Sequence, residues 1–188
     1  EKLIGLIETA TEGTTRIKTI VNDLRTFSRL DDDKKLVVKL GSIIASTIHL
    51  VKTQYDEIKI IIDIDSDPTL SCFPAKLSQV FMNIAVNACQ AIESKKLQNK
   101  NFVGQLTISL IEDVNQTKVI FRDNGCGMNE ITQKKIFDPF FTTKDVGSGT
   151  GLGMAISFGI IEDHNGSVTV SSIMNEGSII SICLPSKC

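Results

Sequence analysis

Between residues 3 and 27, apolar and small residues recur in alternating steps of four and three: Leu3, Ile7, Ala10, Thr14, Ile17, Val21 and Leu24. That spacing is a heptad seam, and it predicts one long helix with a single packing stripe. Glu12, Arg16, Lys18 and Asp23 fall on the opposite side. The stripe runs into a charged break, Asp31-Asp32-Asp33-Lys34-Lys35, which suits a boundary between two modules. The pattern therefore predicts a bundle or dimerisation helix over 1–30 and a second unit over 31–188.

Beyond the break the pattern changes. Residues 36–40 read as a short strand and 41–55 as a helix with Ser42 as its cap. The Ile-rich stretch 59–65 reads as a strand, and Asp67-Pro68 marks a turn. A longer helix is predicted over 74–95. Pro74 fits its first turn, and Leu77, Val80, Phe81, Ile84, Ala88 and Ile92 give it a broad apolar stripe. Strands are predicted over 105–111 and 118–122, joined by a polar turn. A short helix over 129–137 precedes a polar, Gly-rich, aperiodic segment over 138–150. A helix over 151–163 and a hairpin of strands 167–172 and 178–184 complete the chain. This order predicts a two-layer α/β sandwich, a mixed sheet with helices on one face, preceded by a long N-terminal helix. The closing hairpin argues against a purely parallel sheet. A dinucleotide-binding fold is disfavoured, because no Gly-rich turn directly follows the first strand.

Composition narrows the function classes. At 188 residues, with 41% hydrophobic and 22% charged residues, the chain can bury a core and is not disordered. Twenty Lys and Arg against 22 Asp and Glu give a charge of -2, so nucleic acid is not an expected partner. No apolar run is long enough to span a membrane. Cys72, Cys89, Cys126, Cys183 and Cys188 contain no C-x-x-C pair, and His49 and His164 lie far apart, so a zinc site is not expected. Reduced cysteines in the cytoplasm fit this pattern better than a disulfide framework.

Three stretches carry candidate chemistry. On the helix over 74–95, Asn83 and Asn87 are four apart and share a face, with Gln79 and Gln90 adding amides to that side. An amide oxygen can ligate a hard cation such as Mg²⁺, and an amide NH₂ can donate to phosphate; two helix–loop hydrogen bonds are the plainer alternative. Asp123-Asn124-Gly125-Cys126-Gly127 follows a strand, where Asp123 can accept from a ligand amine and the glycines permit close backbone approach. An ordinary turn is the alternative there. In Gly147-Ser148-Gly149-Thr150-Gly151-Leu152-Gly153, four glycines run straight into a helix, whose N–H groups and positive end would hold phosphate. The run lacks the Gly-Lys-Ser/Thr ending of a P-loop, and a flexible linker is the alternative there.

Together and in this order, the stretches resemble the ATP-binding catalytic domain of bacterial two-component sensor histidine kinases, of the Bergerat-type (GHKL) ATPase superfamily. Asn83 to Ile92 is similar to the family's Asn box, and Asp123, Gly125 and Gly127 to its first glycine box. Phe137-Asp138-Pro139-Phe140-Phe141-Thr142-Thr143-Lys144 is similar to its phenylalanine box, and residues 147–153 to its second glycine box. Leu24-Arg25-Thr26-Phe27-Ser28-Arg29 resembles the end of the family's second dimerisation helix. The resemblance covers nearly all of the chain.

It implies ATP and Mg²⁺ as cofactors, with Asn87 as metal ligand and Asn83 beside it toward the phosphates. It implies Asp123 as acceptor of the adenine amino group, helped by the hydroxyl of Ser178, in a pocket shaped by Gly125 and Gly127. Segment 138–150 becomes a mobile lid, Lys144 a cation near the phosphates, and Gly149, Gly151, Leu152 and Gly153 a backbone cradle. Gln90, Phe137 and Thr143 complete the implied nucleotide contacts. Asn83, Asn87 and Lys144 form the implied catalytic set. The reaction is γ-phosphoryl transfer to a histidine, relayed to the receiver domain of a response regulator. The parent would be a homodimer through the N-terminal helix, with the acceptor histidine on an earlier helix and a cytoplasmic catalytic region.

Two other readings stay open. Hydrolases of the same superfamily carry a Glu four residues before the metal-binding Asn, where this chain has Asn83, and an amide cannot be that base. The third reading is a non-catalytic ATP-sensing or partner-binding module. The family often has His-Gly-Gly where His164-Asn165-Gly166 stands; Asn tolerates positive φ, so the turn should survive, with His164 in a structural role. Of Phe137, Phe140 and Phe141, at least two are expected to anchor the lid in the core.

Overall fold

The computed structural model describes residues 13–14, 34–144 and 149–186. Gly13 and Thr14 are helical; the rest of the predicted N-terminal helix lies outside the described residues. The elements in order are β1 (Leu36–Lys39), α1 (Leu40–Gln54), β2 (Lys59–Ile64), β3 (Thr69–Cys72), α2 (Pro74–Gln98), β4 (Gln105–Glu112), β5 (Gln116–Asp123), α3 (Glu130–Lys135), α4 (Gly153–Asp163), β6 (Ser167–Ile173) and β7 (Gly177–Pro185).

The main sheet has five strands in the order β2-β4-β5-β7-β6. β2 and β4 are parallel and the other pairs antiparallel, so the sheet is mixed. Period-two alternation decides which face is covered. Leu106, Ile108 and Leu110 of β4, Val119 and Phe121 of β5, and Ile180, Ile182 and Leu184 of β7 are buried. Their neighbours Thr107, Ser109 and Ile120 are only half-buried. The buried side packs against Leu77, Val80, Phe81, Ile84 and Ile92 of α2 and Ile156, Ile160 and Ile161 of α4. The Phe81 and Phe121 rings meet 6.0 Å apart at the centre of this layer. The two-layer sandwich with helices on one face is thus observed. Among the described residues no helix is long and apolar enough to cross a membrane.

Three local expectations are corrected. β3 was not expected, because Thr-Leu-Ser-Cys is too short to carry a pattern; it forms by pairing antiparallel with β1, Leu36 opposite Cys72. Ser42 does not cap α1. The helix starts at Leu40, one residue earlier than predicted, and Asp67 Oδ1, from the distant turn, accepts from Gly41 N–H at 2.8 Å. α4 begins at Gly153 rather than residue 151, because Gly151 sits at φ 67°, outside the helical region.

The turn after α4 survives the Asn substitution. Asn165 adopts φ 54°, and Gly166 N–H donates to Ile161 O at 2.9 Å. His164 is buried and joins α4 to the start of α2. Its Nε2 accepts from Phe73 N–H at 3.0 Å, so the proton sits on Nδ1, which donates to Ile160 O at 2.7 Å. Burial holds its pKa below the ordinary 6.5, with Lys35 and Lys76 pushing the same way and Ile160 O and Asp163 opposing. The unfolded chain therefore takes up a proton that the native ring resists. Stability is full above about 6.5 and falls as the pH drops toward the lowered native pKa. His164→Ala is expected to cost about 1–3 kcal/mol by leaving Phe73 N–H unpaired, and to flatten that acid limb. Urea melts at neutral and mildly acidic pH check both; an unchanged acid slope would exclude His164 as its source.

Candidate functional site

α2 organises the candidate residues. Its spacing puts Asn83, Asn87 and Gln90 along one side, all half-buried at the helix surface. Asn83 Nδ2 donates to Gly153 O at 3.0 Å and to Ser157 Oγ at 3.2 Å, so it braces the first turn of α4. Asn87 Oδ1 accepts from Lys144 Nζ at 3.2 Å, and Gln90 Oε1 accepts from the same ammonium. Gln90 also neighbours the Tyr55 hydroxyl, whose pKa burial pushes above its ordinary value and Gln90 pulls the other way. Although Lys144 as a residue is exposed, the packing around its ammonium disfavours the charge and lowers its pKa.

Asp123 ends β5 opposite Ser178 of β7. Its Oδ1 accepts from Gly125 N–H at 2.8 Å, and Ser178 contributes further hydrogen bonds. Burial nevertheless dominates and pushes its pKa up, against those bonds and Lys95. The glycine turn is docked directly on α2. A Cβ at Gly125 would lie 2.7 Å from the Ala91 carbonyl carbon, and Cys126 N–H donates to Ala91 O at 3.1 Å. Ala91 is one helical turn beyond Asn87, so the Asp123 loop and the amide pair share one stretch of α2. Lys95 Nζ clamps the turn from below, donating to Asn124 O at 2.8 Å and Asn175 O at 2.7 Å. Gly127 is at φ 68°, where a Cβ would lie 2.0 Å from Ile173 O, so only glycine fits.

Sequence reasoning missed two supports of this loop, Ser172 and Gln133. Ser172 Oγ accepts from Met128 N–H and donates to Gly177 O, both at 2.8 Å, and lies 3.0 Å from Ser178 Oγ. Gln133 Nε2 donates to Met128 O at 3.0 Å and Ser172 O at 2.9 Å. Nothing in their residue type marks them; only the fold brings them under the loop.

Of the three phenylalanines, only Phe137 packs against the core, one fewer than expected, because the chain turns outward at Phe140. Phe137 is half-buried, 5.6 Å from the Phe158 ring of α4, and Phe141 is half-buried. Phe140 is 71% exposed and sits at φ 66°, a left-handed conformation rare for a bulky side chain. Gly151, also left-handed, lies against it: a Cβ there would be 2.4 Å from the Phe140 carbonyl carbon. The backbone on either side of residues 145–148 therefore comes together, at Phe140 and Gly151. Residues 145–148 lie outside the described residues. Gly149 rests on Lys144, Leu152 is buried with its N–H toward Thr150 Oγ1 at 3.3 Å, and Thr143 is exposed. The structure thus gathers Asn87, Gln90, Lys144 and Gly149 in one cluster and Asp123, Gly125, Gly127 and Ser178 in another, both on α2. Asn83, Gly153 and Phe137 belong to the α4 contact.

Comparison with known proteins gives this geometry a lineage. Residues 73–187 match the family model for histidine kinase-, DNA gyrase B- and HSP90-like ATPases. Signal transduction histidine-protein kinase AtoS of Escherichia coli (strain K12) is 36% identical over 173 residues, covering 90% of this chain and 27% of AtoS. Sporulation kinase E of Bacillus subtilis (strain 168) is 36% identical over 146 residues, covering 76% of this chain and 19% of that protein. The chain thus spans about a quarter or less of the length of these relatives. Among solved structures, the catalytic domain of histidine kinase ThkA superposes with a TM-score of 0.70 at 25% identity, covering 82% of this chain and 99% of that one. Full-length ShkA in complex with AMPPNP shares the fold, with a TM-score of 0.75 at 23% identity, covering 89% of this chain and 35% of that one. The chain belongs to the histidine kinase-, DNA gyrase B- and HSP90-like ATPase family, as an ATP-binding catalytic domain of its sensor histidine kinase type.

Proposed function

We propose that this domain binds Mg-ATP between α2, the Asp123 loop and the glycine run, and transfers the γ-phosphoryl group to a histidine for relay to a response regulator. The observation that carries the reading is the convergence of two neutral amide oxygens, Asn87 Oδ1 and Gln90 Oε1, on one cation. Among the described residues no group of three or more His, Cys, Asp or Glu could hold a metal. A magnesium ion would therefore take one or two amide oxygens from this chain and the rest from phosphate and water, as Mg²⁺ at nucleotide sites does. Bound there, it would neutralise phosphate charge and orient the triphosphate.

The chain's own residues supply binding and positioning. Asp123, with Ser178, accepts from the adenine amine; Gly125 and Gly127 let the base approach the backbone. Gly149, Gly151, Leu152 and Gly153 offer N–H groups to the phosphates at the start of α4. Asn83 and Lys144 complete the catalytic set, while Phe137 and Thr143 set the edge of the nucleotide site. Catalysis is then mostly alignment and charge neutralisation, because an imidazole is already a nucleophile. The hydrolase reading is weaker: the Asn83 amide donates to α4 and is no base for water. We further propose that residues 1–30 form the C-terminal helix of a dimerisation module and 31–188 the catalytic domain. The four free cysteines among the described residues suit a reducing compartment, which supports a cytoplasmic reaction.

Two measurements test this. Calorimetric titration with AMPPNP should show binding that strengthens with Mg²⁺; indifference to nucleotide at millimolar concentration would refute it. Adding a dimerisation-helix fragment with a phospho-acceptor histidine and radiolabelled ATP should give acid-labile, base-stable label. Tight nucleotide binding without such label would favour the sensing-module reading.

A further inference from the structure

The contact between Lys144 and α2 supports a further step, which rests on the Mg-ATP reading above. Lys144 is held from three sides. Its Nζ donates to Asn87 Oδ1 at 3.2 Å and to Gln90 Oε1, neutral oxygens three residues apart on one helix face. Its own N–H lies toward Thr142 Oγ1 at 3.2 Å, which sets the backbone where the side chain departs. Its stem is covered by the glycine run: a Cβ at Gly149 would lie 3.2 Å from Lys144 Cδ. The position where Asn87 would ligate a metal is therefore already filled by a positive charge of the protein itself.

We propose that Lys144 is an internal counter-ion that fills the Asn87–Gln90 cation seat in the nucleotide-free protein and must leave it before Mg²⁺ can be coordinated there. An ammonium and a dication cannot share one amide oxygen at bonding distance, because like charges that close repel strongly. Metal binding thus expels the side chain, and the phosphate oxygens arriving with the metal offer the ammonium a stronger, charged partner. The seated ammonium also leaves Mg²⁺-free nucleotide with a usable cation. Only molecules with a vacated seat accept the metal, so the apparent affinity for the Mg-nucleotide is reduced by that fraction.

The test compares the 188-residue chain with its Lys144→Met variant, which keeps an apolar stem and removes the charge. In nucleotide-free protein, the side-chain amide NMR signals of Asn87 and Gln90 are expected to shift in the variant. Mg²⁺ alone should then move them at lower concentration than in the wild type. In AMPPNP titrations, the ratio of affinity with Mg²⁺ to affinity in EDTA should be about tenfold larger in the variant, as expected if the seat is vacant roughly a tenth of the time. Unmoved amide signals, or a ratio equal to or below that of the wild type, would overturn the proposal. Should neither protein bind AMPPNP under any condition, the Mg-ATP reading falls, while the amide signals and the Mg²⁺ titration still decide who occupies the seat.

Discussion

Asn87→Ala is expected to lower Mg²⁺-dependent nucleotide affinity by roughly 100-fold or more, since even an outer partner of a metal site is worth up to that much. The fold should remain intact. Asn87 is half-buried on the surface of α2, its hydrogen bond runs to an exposed residue, and alanine is the best helix former. The loss should appear only with the metal present. In EDTA the variant should bind AMPPNP about as well as the wild type, because Asp123 and the glycine cradle are untouched. Calorimetry with and without Mg²⁺ checks this. Equal losses in both conditions would show Asn87 to be a general binding residue, and no loss would end its proposed ligand role.

Asp123→Asn should move stability and affinity in opposite directions. Burial holds the native pKa of Asp123 above the ordinary 3.8, so the folded state resists its ionisation more than the unfolded state does. Between those two values the native protein binds the extra proton, and stability falls as pH rises through that window. At neutral pH the buried charge is therefore a standing cost. Asparagine removes that cost and can still accept from Gly125 N–H. The variant is expected to melt at a higher temperature without ligand. Its NH₂ would meet the adenine amine donor to donor, so nucleotide affinity should drop by about 1–3 kcal/mol, the penalty for an unmade buried hydrogen bond. A thermal melt and an AMPPNP titration decide the matter. Unchanged affinity would remove Asp123 from the adenine pocket, and a lower melting point would show that its bonds to Gly125 and Ser178 outweigh its desolvation.

The parts of the fold that were legible in the sequence are those where one periodicity persists. The stripe from Leu77 to Ile92 announced α2, and alternation announced β4, β5 and the closing hairpin, because burial on one face imposes the period. β3 was not legible, since four residues carry no period and the strand exists only through its pairing with β1. The start of α1 was misplaced because its cap comes from Asp67, across a whole strand.

For the candidate site, residue types and order marked separate stretches of chain that the fold gathers along α2. Amides four apart on a helix, a carboxylate at a strand end before Gly-x-Gly, and a glycine run into a helix each have a chemistry that can be read without coordinates. Tertiary structure alone decided how those groups are engaged. It gave Asn83 to α4, seated the Lys144 ammonium on Asn87 and Gln90, and brought Phe140 and Gly151 into backbone contact. The physical reason is range. Periodicity and residue chemistry are local and survive in one dimension, whereas hydrogen-bond partners and desolvation depend on which distant segments the core brings within a few ångströms.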